Sequence, residues 1–196
     1  TLVGAVSGFF GGWLDMVLMR LTDMFLSLPL LPLLLLTIYL FRDALRQAFG
    51  PELGIFLLIV LVIGILNWMS TARLVRAAFL SLKQKEFVEA ARSIGATDRR
   101  IIVVHILPNA MSPVLVTATV GVGAAIITES ALTFLGLGFP PDVPTWGRLL
   151  YDAQNFIEIG PHWAIFPGSL IFLTVLSINY IGDGLRDALD PRRAGH

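Results

Sequence analysis

Apolar positions in this chain come in blocks far longer than a strand or a surface helix needs. Four stretches hold no Asp, Glu, Lys or Arg: Met24–Phe41, Leu53–Ala72, Ile101–Thr128 and Ile159–Gly182. Each is about as long as a bilayer-spanning helix, roughly 17 to 25 residues. A further apolar run reaches from Thr1 to Leu14, so Thr1 reads as an internal residue of a longer chain. The basic start and small-residue cleavage site of a signal peptide are both missing from it. The pattern predicts five membrane segments: Leu2–Gly12, Met24–Phe41, Leu53–Ser70, Ser112–Leu135 and Trp163–Ile181. The expected fold is all-α, a polytopic membrane helical bundle over residues 1–196 with an N-terminal span missing.

Composition narrows the class further. Of 196 residues 56% are hydrophobic and 14% charged, against about 25% charged in a soluble domain. That excludes a soluble enzyme and a nucleic-acid-binding module. With no cysteine, a disulfide framework and a thiolate metal cluster are also excluded. The 14 basic and 14 acidic residues cancel, but their positions do not. Arg20, seven residues of the third connection (Arg73, Arg76, Lys83, Lys85, Arg92, Arg99, Arg100) and Arg186, Arg192 and Arg193 of the tail lie on one side. Arg42, Arg46 and Arg148 lie on the other. The positive-inside rule therefore places the third connection and the C-terminus in the cytoplasm of a multi-pass inner-membrane protein.

Within the segments, Gly4, Gly8 and Gly12 form an i, i+4, i+8 row. It reads either as a face for close backbone approach or as the ordinary glycine content of membrane helices. Pro29 and Pro32 predict a kink or a widened cavity in the second segment.

The third connection, residues 73–108, has an organisation of its own. Phe87, Ala90, Ala91 and Ile94 fall at helical spacing among Lys83, Lys85, Glu86, Glu89 and Arg92. Gly95 stands where a helix end favours positive φ. Asp98 is placed to cap a second helix from Arg99 through Ile101, Ile102 and Val103 toward Pro108. A helix, a glycine turn and a second helix projecting from the membrane suit docking into a groove on another protein.

These residues carry a resemblance. Glu89-Ala90-Ala91, then Gly95, then His105-Ile106-Leu107-Pro108 resembles the EAA loop of binding-protein-dependent ABC importer permeases. The general pattern has Ile where His105 stands, and a His there resembles the peptide-transporter branch. Three further stretches are similar to the C-type permease subunit of dipeptide and oligopeptide importers, a type shared by nickel and glutathione importers. They are Phe10-Gly11-Gly12-Trp13-Leu14-Asp15, Thr133-Phe134-Leu135-Gly136-Leu137-Gly138 with Pro140, Pro141, Trp146 and Gly147 after it, and Gly182 through Arg192.

The resemblance implies a type I ABC importer permease fold and one more helix, with a soluble outer loop, before the point where this chain starts. It implies a homologous B-type permease subunit, two cytoplasmic ATPase subunits and an external substrate-binding protein as partners, with ATP and Mg hydrolysed by those partners. Glu89, Ala90, Ala91, Arg92, Gly95, Leu107 and Pro108 are the implied ATPase-coupling residues. Ala90 and Ala91 let the surfaces approach, Glu89 pairs with a basic group and Gly95 sets the angle.

The chain encodes no ATP loop of its own, since Lys83 and Lys85 have no glycine near them. Glu129 is the only acidic residue within an expected segment, and an intramembrane charge marks a functional site by default. It reads either as part of the substrate path or outer gate, or as a hydrogen-bonded contact to a neighbouring helix or subunit. The outer connection, residues 139–162, carries Trp146, Leu149, Leu150, Ala153 and Ile157 at amphipathic spacing. That helix reads as an interfacial anchor or, through Trp146 and Gly147, as a landing place for the binding protein. His105 and His162 fall on opposite sides of the membrane and form no metal site. The function read from the sequence is the permease subunit of an ATP-driven peptide importer. Nickel or glutathione is the alternative substrate for a permease of the same class, and two rivals of other classes remain: a self-sufficient secondary transporter or channel, and a membrane scaffold that recruits a cytoplasmic partner.

Overall fold

The computed structural model describes residues 1–189, and every regular element among them is helical. In chain order these are α1 (Leu2–Phe10), α2 (Gly12–Leu26), α3 (Leu30–Phe49), α4 (Pro51–Leu82), α5 (Glu86–Ser93), α6 (Asp98–Arg100), α7 (Leu107–Phe134), α8 (Trp146–Ala153) and α9 (His162–Leu189). Between α6 and α7 the stretch Ile101–Ile106 is a π-helix, so helical backbone is continuous from Asp98 to Phe134. Expected features of the tail from Asp190 through Arg193 lie outside the described residues.

Among the described residues three helices are long and apolar enough to cross a membrane: Pro51–Leu82, Asp98–Phe134 and His162–Ala188. The α2 and α3 pair adds a fourth if both halves belong to one broken span. Two of the five expected segments are therefore redrawn. The first ends after nine residues, a rise of about 14 Å against the roughly 30 Å of a hydrocarbon core. Gly11 and Gly12 follow with φ of 68° and 59°, a conformation that glycine alone adopts freely and that no helix can continue through. The second expected segment breaks at Ser27–Pro29 rather than kinking. Pro29 has no N–H to return to the preceding turn and disfavours helical backbone at Leu28. The Ser27 N–H and hydroxyl close off α2 on the carbonyls of Asp23 (3.0 Å) and Met24 (2.7 Å).

The remaining segments extend beyond their expected bounds, α4 and α9 at both ends and α7 at its N-terminal end. α4 continues past Ser70 to Leu82 because the charges of Arg73 and Arg76 are answered by Asp23 and Asp15. Asp98 is the first residue of its helix rather than its cap. Thr97 holds the capping position, and its side chain makes no capping hydrogen bond. The second helix of the connection does not stop at Pro108 but becomes α7. Pro108 removes a donor, and the ladder before it widens so that Leu107 N–H reaches back to Ile102 O. The Asn109 side chain donates to the His105 carbonyl at 2.7 Å.

The chain forms two compact units. One comprises residues 1–28, 67–118 and 182–189; the other comprises 29–66 and 119–181. The core of the first is built from Ala5 and Phe9 of α1, Val75 and Phe79 of α4, Val88 and Ala91 of α5, and Ile101, Ile106 and Ala110. The core of the second holds Leu34 and Ile38 of α3, Leu58 and Val62 of α4, and Leu132 of α7.

Candidate functional site

In the first unit, α5 is a two-sided helix. Its inner face consists of Val88 (0% exposed) and Ala91 (5%), both within the core of that unit. Its outer face presents Phe87 (40% exposed), Ala90 and Ile94 (87%) at positions i, i+3 and i+7, with Glu89 exposed beside them. Of the two alanines expected to face a partner, Ala90 is exposed and Ala91 packs inward in this chain. Small residues on both faces left the choice of face open, and Val88 and Ala91 were the pair that found a ready-made apolar bed.

The helix stops where the sequence placed its end. Gly95 takes φ 82°, its N–H donates to Arg92 O (2.9 Å) and the Ala96 N–H donates to Ala91 O (3.0 Å). This paired arrangement satisfies the last carbonyls of a helix and turns the chain sharply. Ala96 is then folded onto the same core. Arg92 lies over the Phe9 ring, 6.0 Å from its centroid. A polar notch of about 380 Å³ opens between Phe9, Lys83, Gln84, Val88, Glu89 and Arg92. Of the other expected coupling residues, Leu107 packs against the core and Pro108 is exposed.

The floor beneath α5 includes two glycines of the expected row and a carboxylate, Asp15, with no expected partner. Gly4 and Gly8 of α1 lie against the backbone of α4 at Ala72 and Arg76. A Cβ on Gly8 would stand 2.7 Å from Phe79 Cβ and 2.8 Å from Arg76 O. Two glycines of the row thus serve close approach, whereas Gly12 meets nothing. Across this contact Asp15 of α2 receives Arg76 Nε and Nη2, each at 2.6 Å, together with the Ser7 hydroxyl. Lys83 Nζ donates to Gly8 O at 3.1 Å, a cation on one of the free carbonyls at the end of α1. The available signal was Phe10-Gly11-Gly12-Trp13-Leu14-Asp15, where two glycines break the helix and an acid follows.

In the second unit, Glu129 is half-buried and lines a largely apolar cavity of about 790 Å³. Phe56, Ile59 and Ile63 of α4, Val122 and Ile126 of α7, and Trp146 contribute to the walls. None of the described lining residues is basic. Thr133, one turn on, donates to Glu129 Oε1 at 2.7 Å, and its oxygen accepts the Phe139 N–H at 3.4 Å. The turn after α7 repeats the geometry seen at Gly95. Gly136 has φ 79°, its N–H donates to Thr133 O and the Leu137 N–H donates to Leu132 O.

Trp146 and Gly147 open α8, where the Thr145 hydroxyl accepts the Arg148 N–H at 3.2 Å. Trp146 lines the cavity, but Gly147 is buried against α7. A Cβ there would meet Ser130 O at 2.6 Å and Thr133 Cβ at 3.0 Å. Of the two residues expected at the landing surface, Gly147 thus packs inward against α7.

The geometry can be set beside known proteins. Residues 1–195 match the model of the family described as binding-protein-dependent transport system inner membrane component. The chain is 41% identical to the dipeptide transport system permease protein DppC of Alkalihalophilus pseudofirmus over 98% of its length and 60% of that protein's. It is 43% identical to the oligopeptide permease OppC of Haemophilus influenzae, covering 98% of this chain and 58% of that protein. It is 40% identical to the glutathione permease GsiD of Pectobacterium atrosepticum, covering 98% and 60%. It thus spans about three fifths of the length of these relatives. Its fold is similar to that of a chain of the inward-facing MetNI methionine ABC transporter, with a TM-score of 0.65 at 18% identity over 95% of this chain and 84% of that one. With the match extending over residues 1–195, the chain belongs to the family of binding-protein-dependent transport system inner membrane components.

Proposed function

We propose that this chain is the transmembrane permease subunit of an ATP-driven importer of peptides, working with a homologous permease subunit, two cytoplasmic ATPases and an external binding protein. The observation that carries the reading is the two-sided α5, anchored by Val88 and Ala91 and offering Phe87, Ala90 and Ile94 outward. A helix fixed on one side and apolar on the other transmits force to whatever seats on it, and an amphipathic helix in a groove is a common mode of recognition. The exposed Glu89 supplies a charge for a basic residue of the ATPase, and Gly95 fixes the angle at which α5 is offered. In this reading α5 faces the cytoplasm and ATP with Mg is hydrolysed by the partner subunits. Glu129 and Trp146 border the substrate path or its outer gate.

Peptide is the substrate class favoured by the dipeptide and oligopeptide relatives. Glutathione, itself a small peptide, is the second reading because a glutathione permease is similar over the same length. Reconstitution of the full-length subunit with its neighbouring operon products tests this. Vanadate-sensitive uptake of labelled peptide that requires the binding protein is expected. Uptake by the permease alone, driven by an ion or proton gradient, would refute it.

A further inference from the structure

At the α1–α4 contact Val75 and Phe79 of α4 lie against Gly4 and Gly8, Lys83 Nζ donates to Gly8 O, and the glycines let the two backbones approach closely. α1 also belongs to the bed of α5: Ala5 and Phe9 lie in the same core as Val88 and Ala91, and Arg92 of α5 sits over the Phe9 ring. A push on α5 therefore reaches α1 as well as α4. If α1 slips along α4, the displacement is lost at this contact.

One group resists such slippage from the side of α2, in addition to the apolar packing and the Lys83 bond. Asp15 ties three helices: its own α2, α1 through the Ser7 hydroxyl, and α4 through Arg76. The guanidinium engages both carboxylate oxygens, a fork that fixes orientation as well as distance. The pair is shielded, with side chains 33% and 18% exposed. The neighbouring Arg73–Asp23 pair, 53% and 46% exposed, is open to solvent or headgroups and holds register less firmly.

We propose that Asp15 and Arg76 are positioning residues for coupling: they latch the α1–α2 elbow onto α4, so that movement imposed at α5 is handed to the membrane helix instead of being dissipated. The inference rests on the importer reading above. Its substance is a residue pair 61 positions apart in the chain and outside α5 itself that determines how much transport each ATP yields.

The test uses the complete importer in proteoliposomes, with labelled peptide uptake and ATP hydrolysis measured on the same sample. Arg76→Lys keeps the charge and removes the fork. It should lower the ratio of uptake to ATP hydrolysed about tenfold, the scale of one lost charge-assisted hydrogen bond, while the complex still assembles and hydrolyses ATP. Asp15→Asn should act in the same direction, and combining Asp15→Arg with Arg76→Asp should recover part of the ratio. Arg73→Lys should leave it within about twofold, as befits an exposed pair. An unchanged ratio in Arg76→Lys overturns the proposal. So does uptake that falls only in proportion to the complex recovered, which marks the pair as a fastener alone. A wild-type complex with no ATP-dependent peptide uptake refutes the importer reading itself, and this inference falls with it.

Discussion

Replacing Gly8 by alanine adds one methyl group where the structure has no room for it. The new carbon would lie 2.7 Å from Phe79 Cβ and 2.8 Å from Arg76 O, whereas ordinary contact begins at 3.4 Å. Arg76 O is backbone and Phe79 is fully buried, so neither can rotate aside and α1 must part from α4 by about 0.7 Å, an overpacking that costs about 1–3 kcal/mol. Alanine recovers about 0.5–1 kcal/mol through its better helix propensity. The net loss is about 0–2.5 kcal/mol, and for a chain of this size up to about 10 °C in Tm. Thermal unfolding of the detergent-purified permease, followed by circular dichroism, measures it. Gly64→Ala and Gly121→Ala are the controls, since each is helical with no neighbour within 4 Å of the added carbon. They should unfold at or above the wild-type temperature. If Gly8→Ala unfolds with the controls, the close α1–α4 contact and the bed it provides for α5 are wrong.

Three other outcomes follow from the same geometry. Gly95→Ala forces a side chain into φ 82° and should weaken co-purification of the ATPases, with about 1–2 kcal/mol lost at the helix end; Gly95→Asn should recover much of it, because asparagine tolerates that region. Gly147→Ala should lower the unfolding temperature of the permease with no binding protein present, because its Cβ would enter the Ser130 carbonyl at 2.6 Å; reduced binding-protein affinity at unchanged stability would contradict the packing role. Glu129→Gln preserves shape and removes charge. If Glu129 borders the path, flux or substrate preference should change in uptake assays, and Thr133→Val, which removes the 2.7 Å bond to its carboxylate, should shift the same preference by a smaller amount.

The charge-free blocks made α4, α7 and α9 legible, since only a lipid-facing or buried helix accommodates so many apolar residues in sequence. Pairings across long separations were not legible. Nothing local to Arg76 announces Asp15, 61 residues earlier, so α4 was expected to end near Ser70. Glycine was read through spacing alone. Gly4, Gly8 and Gly12 look like one face, but the positive φ of Gly11 and Gly12 ends the helix before the third member of the row. In α5 the period and the terminating Gly95 were readable. The choice of inner face was not, because Val88 with Ala91 and Phe87 with Ala90 and Ile94 are both apolar pairings at helical spacing. What decided between them was the tertiary bed supplied by Phe9, Val75, Phe79 and Ile101.

Residues 1–196 contain no cysteine, so within them a single engineered thiol reports on one position, with the unsubstituted complex as the labelling blank. Ala90→Cys and Ala91→Cys are near-isosteric changes on adjacent residues that the structure places on opposite sides of α5. Maleimide labelling of each, in the permease pair alone and in the complex with its ATPases, tests most directly whether the outer face of α5 is where the ATPase seats. The account predicts that Ala90→Cys is labelled rapidly without the ATPases and protected when they are added, while Ala91→Cys resists labelling in both states. Equal labelling of Ala90→Cys with and without the ATPases, in a complex that still hydrolyses ATP and transports peptide, would contradict it.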